Sequence, residues 1–216
     1  MIVTETRVGG ARTKGITDSL LLDGAIHFDT VDYAGGLWLH WNSLAVDIIH
    51  LASTEQEIHA LVKVSFSNLS WILSSIYASL RFLECYLLWK NLANVASIHS
   101  LPWLMMGDFN EVLLSDDKFV GRSVNFHRAS NFQDYIDSCG IMDMSFSGPR
   151  FTWTNLKGVS DMIQERIDRC FCNPSLRLLF PEASVKHLVR IHYDYYLVLL
   201  TLDKPFELSL LRPFHF

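Results

Sequence analysis

Gly107-Asp108-Phe109-Asn110 is the segment of this sequence best suited to chemistry. It ends the apolar run Pro102-Trp103-Leu104-Met105-Met106, too short for a helix and bounded by proline and glycine, which predicts a buried strand. Residues i and i+2 of an extended chain share a face, so the Asp108 carboxylate and the Asn110 amide leave the strand end on the same side. The carboxyl ends of buried strands are where open α/β sheets tend to put their sites. An aspartate there can orient or deprotonate a water, and an asparagine can donate hydrogen bonds to a phosphoryl oxygen. Taken alone, an Asp-x-Asn pair reads more readily as a polar turn after a strand.

Other ligand types offer less. His187 and His192 do not form the His-Glu-x-x-His spacing of a helical zinc site, so zinc is not expected. Cys85, Cys139, Cys170 and Cys172 are too sparse for a disulfide framework, and Cys170-x-Cys172 has no second pair, so reduced structural thiols are expected.

The elements that would position Asp108 can be read from hydrophobic periodicity. Leu37–Trp41, Ala45–Leu51, Ile58–Phe66 and Trp71–Tyr77 are short, β-branched and aromatic segments with polar breaks, and predict successive antiparallel strands. The period then changes: Phe82, Cys85, Tyr86, Trp89, Leu92, Ala93 and Ala96 recur at three- and four-residue steps and define one face of a helix. Ser115–Asn125 reads as a loop, and Ala129, Phe132, Ile136 and Cys139 as a second amphipathic helix stopped by Gly140. Strands are expected again at Phe151–Thr154, Glu165–Phe171, Ser184–Arg190 and Tyr196–Leu202, with a short helix between Asn173-Pro174 and Pro181. Many strands with a few helices imply a mixed sheet covered by helices, an α/β or α+β fold.

The chain has 216 residues, 50% of them hydrophobic and 19% charged, which suits one large globular domain over 1–202. Residues 203–216 lose periodicity and are expected to form an extended C-terminal tail. The net charge of −5 gives no global attraction to nucleic acid, so phosphate binding would need a local basic patch or a bound cation. No signal peptide is read in MIVTETRVGG, and Trp71–Trp89 is interrupted by Arg81 and Glu84, so no membrane span and an intracellular location are expected.

"MGDFNEVL" resembles the GDFN signature of the endonuclease/exonuclease/phosphatase superfamily, and "DDKFVGR", "FSGPRFTWTN", "QERIDR" and "FPEASVKHL" resemble the endonuclease domain of plant LINE-type non-LTR retrotransposons. The resemblance runs from about Ile2 to Pro205. It implies a DNase-I-like four-layer sandwich of two mixed β-sheets flanked by helices. It also implies that Glu5 in "VTETR" binds the catalytic Mg²⁺, with Mn²⁺ as an alternative, and that Tyr77 hydrogen-bonds the scissile phosphate. Asp108 and Asn110 would orient the attacking water and hold phosphoryl oxygens, and Asp168 would orient a catalytic histidine. Each has a plainer reading from its residue type: Glu5 as a surface carboxylate, Tyr77 as a core aromatic, Asp168 as an ion partner of Arg166 or Arg169. Trp153 is read as core. A Mg²⁺ held by one or two carboxylates suits phosphodiester hydrolysis, because it polarises the phosphate while keeping several waters.

The sequence departs from the family's pattern in two places. The family's Ser-Asp-His triplet before the last strand reads Tyr193-Asp194-Tyr195 here, so Asp194 is kept as a catalytic and metal-binding carboxylate while Tyr195 stands at the histidine position. A register using His192 would turn that side chain to the opposite face. Tyrosine, with an ordinary pKa of about 10, does not supply an imidazolium's charge near neutrality. The family's first strand, which carries an asparagine of the metal site, has no counterpart before "VTETR", and "DKPFELSLLRPFHF" resembles the start of a linker, so a fragment of a retrotransposon reading frame is expected.

These features imply an ancestral Mg²⁺-dependent DNA endonuclease with an impaired site, which would act in the nucleus on chromosomal DNA and need no small-molecule cofactor. A non-catalytic remnant binding DNA or protein and a small-molecule phosphoesterase on the same fold are the alternatives; fold alone does not choose among them.

Overall fold

Alternating apolar residues turn into paired strands wherever one face of an extended segment can be buried against a second layer. In the computed structural model, residues 1–9, 11–28, 35–121, 123–189 and 194–202 are described; His192, Tyr193 and the tail 203–216 lie outside them. The first half runs β1 (Ile2–Thr4), α1 (Ala11–Ser19), β2 (Gly24–Phe28), β3 (Leu37–Trp41), β4 (Val46–Ser53), β5 (Glu57–Val64), β6 (Ser70–Tyr77) and α2 (Phe82–Ile98). There follow β7 (Trp103–Asp108), the two-residue β8 (Lys118–Phe119), α3 (Phe126–Ser138), β9 (Met142–Asp143), β10 (Phe146–Ser147) and β11 (Trp153–Thr154). The last elements are β12 (Gln164–Glu165), β13 (Asp168–Cys172), α4 (Pro174–Leu179), β14 (Ser184–His187) and β15 (Val198–Thr201).

The central layer is a six-stranded sheet in the order β4-β5-β6-β7-β13-β9, antiparallel except for the parallel β6–β7 pair that the α2 crossover permits. One face carries Ile72, Ile76, Met105 and Phe171 against Leu88, Trp89 and Leu92 of α2 and Phe132 and Ile136 of α3. The other carries Val62, Leu73, Leu104 and Cys170 against Leu37 and Leu39 of β3 and Val185 of β14. The opposing layer consists of two three-stranded sheets, β1-β3-β2 and β10-β14-β15. On its outer side α1 lies over β2, where the Thr17 hydroxyl and His27 Nε2 are 3.3 Å apart. Helix, sheet, sheet, helix is the expected mixed α/β sandwich, with its second layer in two pieces.

Local signals account for the boundaries. The Asn125 side chain caps α3 by accepting from the Arg128 N–H at 3.3 Å, and the Asn173 side chain caps α4 by accepting from the Leu176 N–H at 2.9 Å, with Pro174 in the first turn. α1 and β2 fall in a stretch for which no element was predicted. The single strand expected over Glu165–Phe171 is broken between β12 and β13, where the chain changes partner: the Arg166 N–H still bonds the Asp117 carbonyl in register with the β12–β8 pairing, while the Ile167 carbonyl already accepts from the Phe109 N–H beyond β7. Trp153 is half-buried in the small sheet β11-β12-β8 and belongs to neither core cluster, contrary to its reading as core. All four cysteines are free thiols. Among the described residues, no helix is long and apolar enough to cross a membrane.

Gly107 decides how closely β7 approaches β6. Its φ is +144°, and a Cβ there would sit 2.0 Å from the Ile76 carbonyl oxygen, a backbone atom that cannot swing away. Gly107→Ala is therefore expected to destabilise the protein by roughly 2–3 kcal/mol, read as a lowered midpoint in chemical denaturation. An unchanged midpoint would mean that the two strands separate freely here.

Candidate active site

Strand register assembles the site. The parallel β6–β7 pairing sets Tyr77 beside Asp108, and the antiparallel β7–β13 pairing sets Asp168 on the other side of Asp108. Three polar side chains thus stand next to one another across three strand ends, at the margin of the interface between the layers. Glu5 joins them from the end of β1. The Tyr77 hydroxyl donates to Glu5 Oε1 at 3.0 Å, and an Arg7 guanidinium N–H donates to Glu5 Oε2 at 3.0 Å. Glu5 takes a positive φ of 50°, a conformation a glutamate holds only when the surroundings impose it.

Asp108 is completely buried and both its oxygens are engaged. The Asn110 backbone N–H donates to Oδ1 at 2.8 Å, and the Tyr195 hydroxyl donates to Oδ2 at 3.1 Å. Asn110 also has a positive φ, 49°, which asparagine tolerates well. Its side-chain amide donates to the Ala78 carbonyl at 2.7 Å, tying the Asp108–Asn110 turn to the end of β6 and leaving one amide hydrogen for a ligand.

Asp168 is held by its backbone: the Thr152 hydroxyl oxygen accepts the N–H groups of Ile167 and Asp168, both at 3.0 Å. Its Oδ2 is buried and has no hydrogen-bond partner among the described residues. The reading of Asp168 as an ion partner of the neighbouring arginines does not hold. Arg169 donates to Asp117 Oδ2 at 2.6 Å and to Asp143 Oδ2 at 2.7 Å, and Arg166 donates to Asp143 Oδ1 at 2.7 Å. Alternation along β13 turns Asp168 and Arg169 to opposite faces, so adjacency in sequence becomes separation in space.

Tyr195, at the position where the family's histidine was expected, reaches the cluster from an isolated bridge to Trp153. Asp194, its neighbour, does not join in the same way. Its carbonyl accepts from the Thr154 N–H at 3.0 Å, but no hydrogen bond or ion pair among the described residues links its carboxylate to Glu5, Asp108 or Asp168. Thr152, Asp117 and Asp143 are supports that sequence reasoning missed. The acidic pair in "DDKFVGR" was visible, but nothing in it marked Asp117 as the residue that would meet Arg169.

Electrostatically the site is short of positive charge. Burial, and secondarily the Glu5 charge, raise the Asp108 carboxyl above the ordinary range, although the Asn110 and Tyr195 hydrogen bonds oppose the shift. Burial and then the Asp108 charge raise Asp168 well above its ordinary value. Tyr77 and Tyr195 are pushed up by burial and by the same carboxylates. A carboxyl raised in the folded state binds protons that the unfolded chain has released. In the metal-free protein, stability is therefore lost as pH climbs from about 4 through the raised folded values. Asp168→Asn removes one of the two facing charges and is expected to stabilise the metal-free protein by at least about 1 kcal/mol at pH 8, with little gain at pH 4. Thermal melts at the two pH values check this; equal gains at both would contradict it.

Among the described residues, no three His, Cys, Asp or Glu side chains converge into a ready metal cage. The arrangement still fits a hard divalent cation bound through one or two carboxylates, since the buried oxygen of Asp168 lacks a partner and Arg166 and Arg169 are committed elsewhere.

The sequence profile of the Endonuclease/Exonuclease/phosphatase family matches residues 8–190, a span that includes Tyr77, Asp108, Asn110 and Asp168 and leaves out Glu5, Asp194 and Tyr195. No curated protein is matched. Among solved structures, the endonuclease domain of TRAS1, a telomere-specific non-LTR retrotransposon, superposes with a TM-score of 0.62 at 15% identity, over 84% of this chain and 81% of that one. The human Nocturnin catalytic domain with bound sulfate gives 0.56 at 13% identity, over 92% and 78%. TDP2 of D. rerio complexed with single-strand DNA product gives 0.53 at 13% identity, over 90% and 80%. At these identities the likeness establishes the DNase-I-like fold.

Proposed function

The chain belongs to the endonuclease/exonuclease/phosphatase family, and from that membership we propose that it is a retrotransposon-type endonuclease domain, built to hydrolyse DNA phosphodiesters with Mg²⁺ and slowed by Tyr195. The observation that carries this reading is the alignment of Tyr77, Asp108 and Asp168 on three adjacent strand ends, with the Tyr195 hydroxyl on Asp108 Oδ2. The likeness to the TRAS1 endonuclease and to TDP2 bound to a DNA product supports a polynucleotide substrate.

In this reading Glu5 is the metal ligand, and Mg²⁺, or Mn²⁺ in its place, would neutralise charge on a phosphoryl oxygen. Asp108 orients the attacking water and draws off its proton. The Asn110 side chain offers its remaining amide hydrogen to a phosphoryl oxygen, and the Tyr77 hydroxyl can turn from Glu5 to another. Asp168, fixed by Thr152, is placed to hold a positioned acid–base group, and among the described residues its Oδ2 holds none. Asp194 serves as a metal ligand only if its carboxylate turns from its present place. Tyr195 occupies the Asp108 oxygen that a water would need, and its raised pKa keeps it from exchanging a proton near neutrality. That blockage also favours a second reading, a non-catalytic remnant that keeps the fold.

Supercoiled plasmid incubated with the protein and Mg²⁺ separates the two. Slow nicking that chelation stops, and that Asp108→Ala reduces to the protein-free level, is the expected result. Absence of nicking at high protein concentration, together with no Mg²⁺-dependent rise in melting temperature, would end the nuclease reading and leave the remnant.

A further inference from the structure

The side-chain amide of Asn110 is aimed by a carbonyl that belongs to another part of the chain. It donates to the Ala78 carbonyl at 2.7 Å, and the Ala78 N–H donates to the Asp108 carbonyl at 2.8 Å. The Asp108–Asn110 turn and the start of the connection 78–81, between β6 and α2, therefore lean on each other. A donor that meets charge developing in a transition state is useful in proportion to how firmly its surroundings fix it. Whatever holds 78–81 thus bears on the aim of Asn110.

Two side chains from other elements hold that connection. Gln56, just before β5, takes the Tyr77 N–H on its backbone carbonyl at 2.8 Å and the Ser79 N–H on its side-chain oxygen at 2.7 Å, and its amide donates to the Glu84 carbonyl at 3.0 Å. Arg128, in the first turn of α3, donates through Nη1 to the Leu80 carbonyl at 3.0 Å. The rest of its guanidinium is seated on Glu111, the residue after Asn110. Nη2 and Nε donate to Oε1 at 2.6 and 2.8 Å, and Nε also reaches Oε2 at 3.1 Å. Glu111 is 5% exposed. A carboxylate that buried is stable against a guanidinium meeting both its oxygens and costly without one. The contacts close a circuit from Asn110 to Ala78, along the chain to Leu80, across to Arg128, on to Glu111 and back to Asn110 through one peptide bond. A planar fork of donors spans a carboxylate and a carbonyl at fixed angles, which an ammonium does not.

We infer that Arg128, seated by Glu111, is a positioning residue for phosphodiester hydrolysis. It fixes the connection 78–81, and through the Ala78 carbonyl it holds the Asn110 amide so that its other hydrogen points where a phosphoryl oxygen would bind. The inference rests on the nuclease reading for what that hydrogen does, whereas the brace on Asn110 can be measured without it. Arg128 acts through Asn110 rather than on the reacting atoms.

Two variants of the full 216-residue chain test it. Arg128→Met/Glu111→Leu removes the ion pair as a unit and leaves neither charge buried alone. Arg128→Lys keeps a charge for Glu111 while giving up the fork. Exchange of the Asn110 side-chain amide with water, followed by NMR on the metal-free protein, is expected to quicken roughly tenfold in both, while the backbone amides of β5 and β6 keep their protection. In plasmid nicking with Mg²⁺, both are expected to lower kcat by roughly 10- to 100-fold, the effect of a slightly misplaced group, with KM for DNA within about twofold of wild type. A purely structural brace would lower the melting temperature without moving the Asn110 signals or splitting kcat from KM. Unchanged Asn110 exchange in either folded variant overturns the proposal, as does wild-type kcat in Arg128→Lys. Should the double variant fail to fold, Arg128→Lys decides alone. Should the wild-type chain nick no plasmid at all, the nuclease reading falls, whereas the brace stands or falls on Asn110 exchange.

Discussion

Tyr195→His is expected to raise the plasmid-nicking rate by roughly 10²- to 10⁴-fold, the usual contribution of a positioned acid–base group. Two features of the site work in the same direction. The substitution removes the hydroxyl that caps Asp108 Oδ2, freeing that oxygen for a water. It also brings an N–H donor into a pocket where the buried Oδ2 of Asp168 has no partner among the described residues. A carboxylate on each side favours the protonated ring, so the introduced imidazole can carry near neutrality the positive charge that tyrosine cannot. Tyr195→Phe separates the two effects, because it uncovers Asp108 without adding a proton carrier, and it should recover at most a small part of the gain. If the histidine variant nicks no faster than wild type while binding DNA equally well, the defect lies elsewhere, with the metal ligands first in line.

The parts of the fold legible in the sequence are those whose burial is one-sided or complete. β3, β5, β6 and β7 are continuous or alternating apolar runs, and α2 and α3 carry clear stripes, so periodicity alone located them. α1 was not legible because ARTKGITDS has no apolar stripe and includes a glycine; it forms where the second layer offers it a surface. The break between β12 and β13 was hidden because the chain there changes partner from β8 to β7, and both partners are far away in the sequence. The divided second layer was equally invisible, since which strand edges meet is set by topology and not by local pattern.

The site shows the same division. Asp108 and Asn110 were found because their spacing has a meaning on any strand end, and Tyr77 and Asp168 because they match a family pattern. What the sequence could not show was the distribution of charge partners. Asp168 lies two residues from one arginine and next to another, yet strand alternation turns Arg169 to the opposite face, and the break between β12 and β13 lets Arg166 turn to Asp143 as well. Likewise, extended geometry points Tyr195 at Asp108 and leaves its neighbour Asp194 without a bond to the cluster.

Those arginines are committed to a ring whose removal should be felt throughout the protein. Arg169 is almost wholly buried and bridges Asp117 and Asp143 through separate guanidinium nitrogens, and Arg166 closes the ring through Asp143 while lying over the Phe146 ring at 4.4 Å. Such a network adds little over apolar packing of equal volume, but removing one member leaves the others charged and desolvated. Arg169→Ala is therefore expected to destabilise the protein by about 3–5 kcal/mol in urea denaturation. Arg169→Lys should recover only part of this, because a single ammonium does not reproduce the planar fork that reaches two carboxylates. The triple change of Arg169→Met, Asp117→Asn and Asp143→Asn should be milder than Arg169→Ala alone, since it takes out the charges together with their partner. A loss below about 1 kcal/mol for Arg169→Ala would mean that water reaches the two aspartates. The ring would then not be what fixes the start of β13, where Asp168 stands.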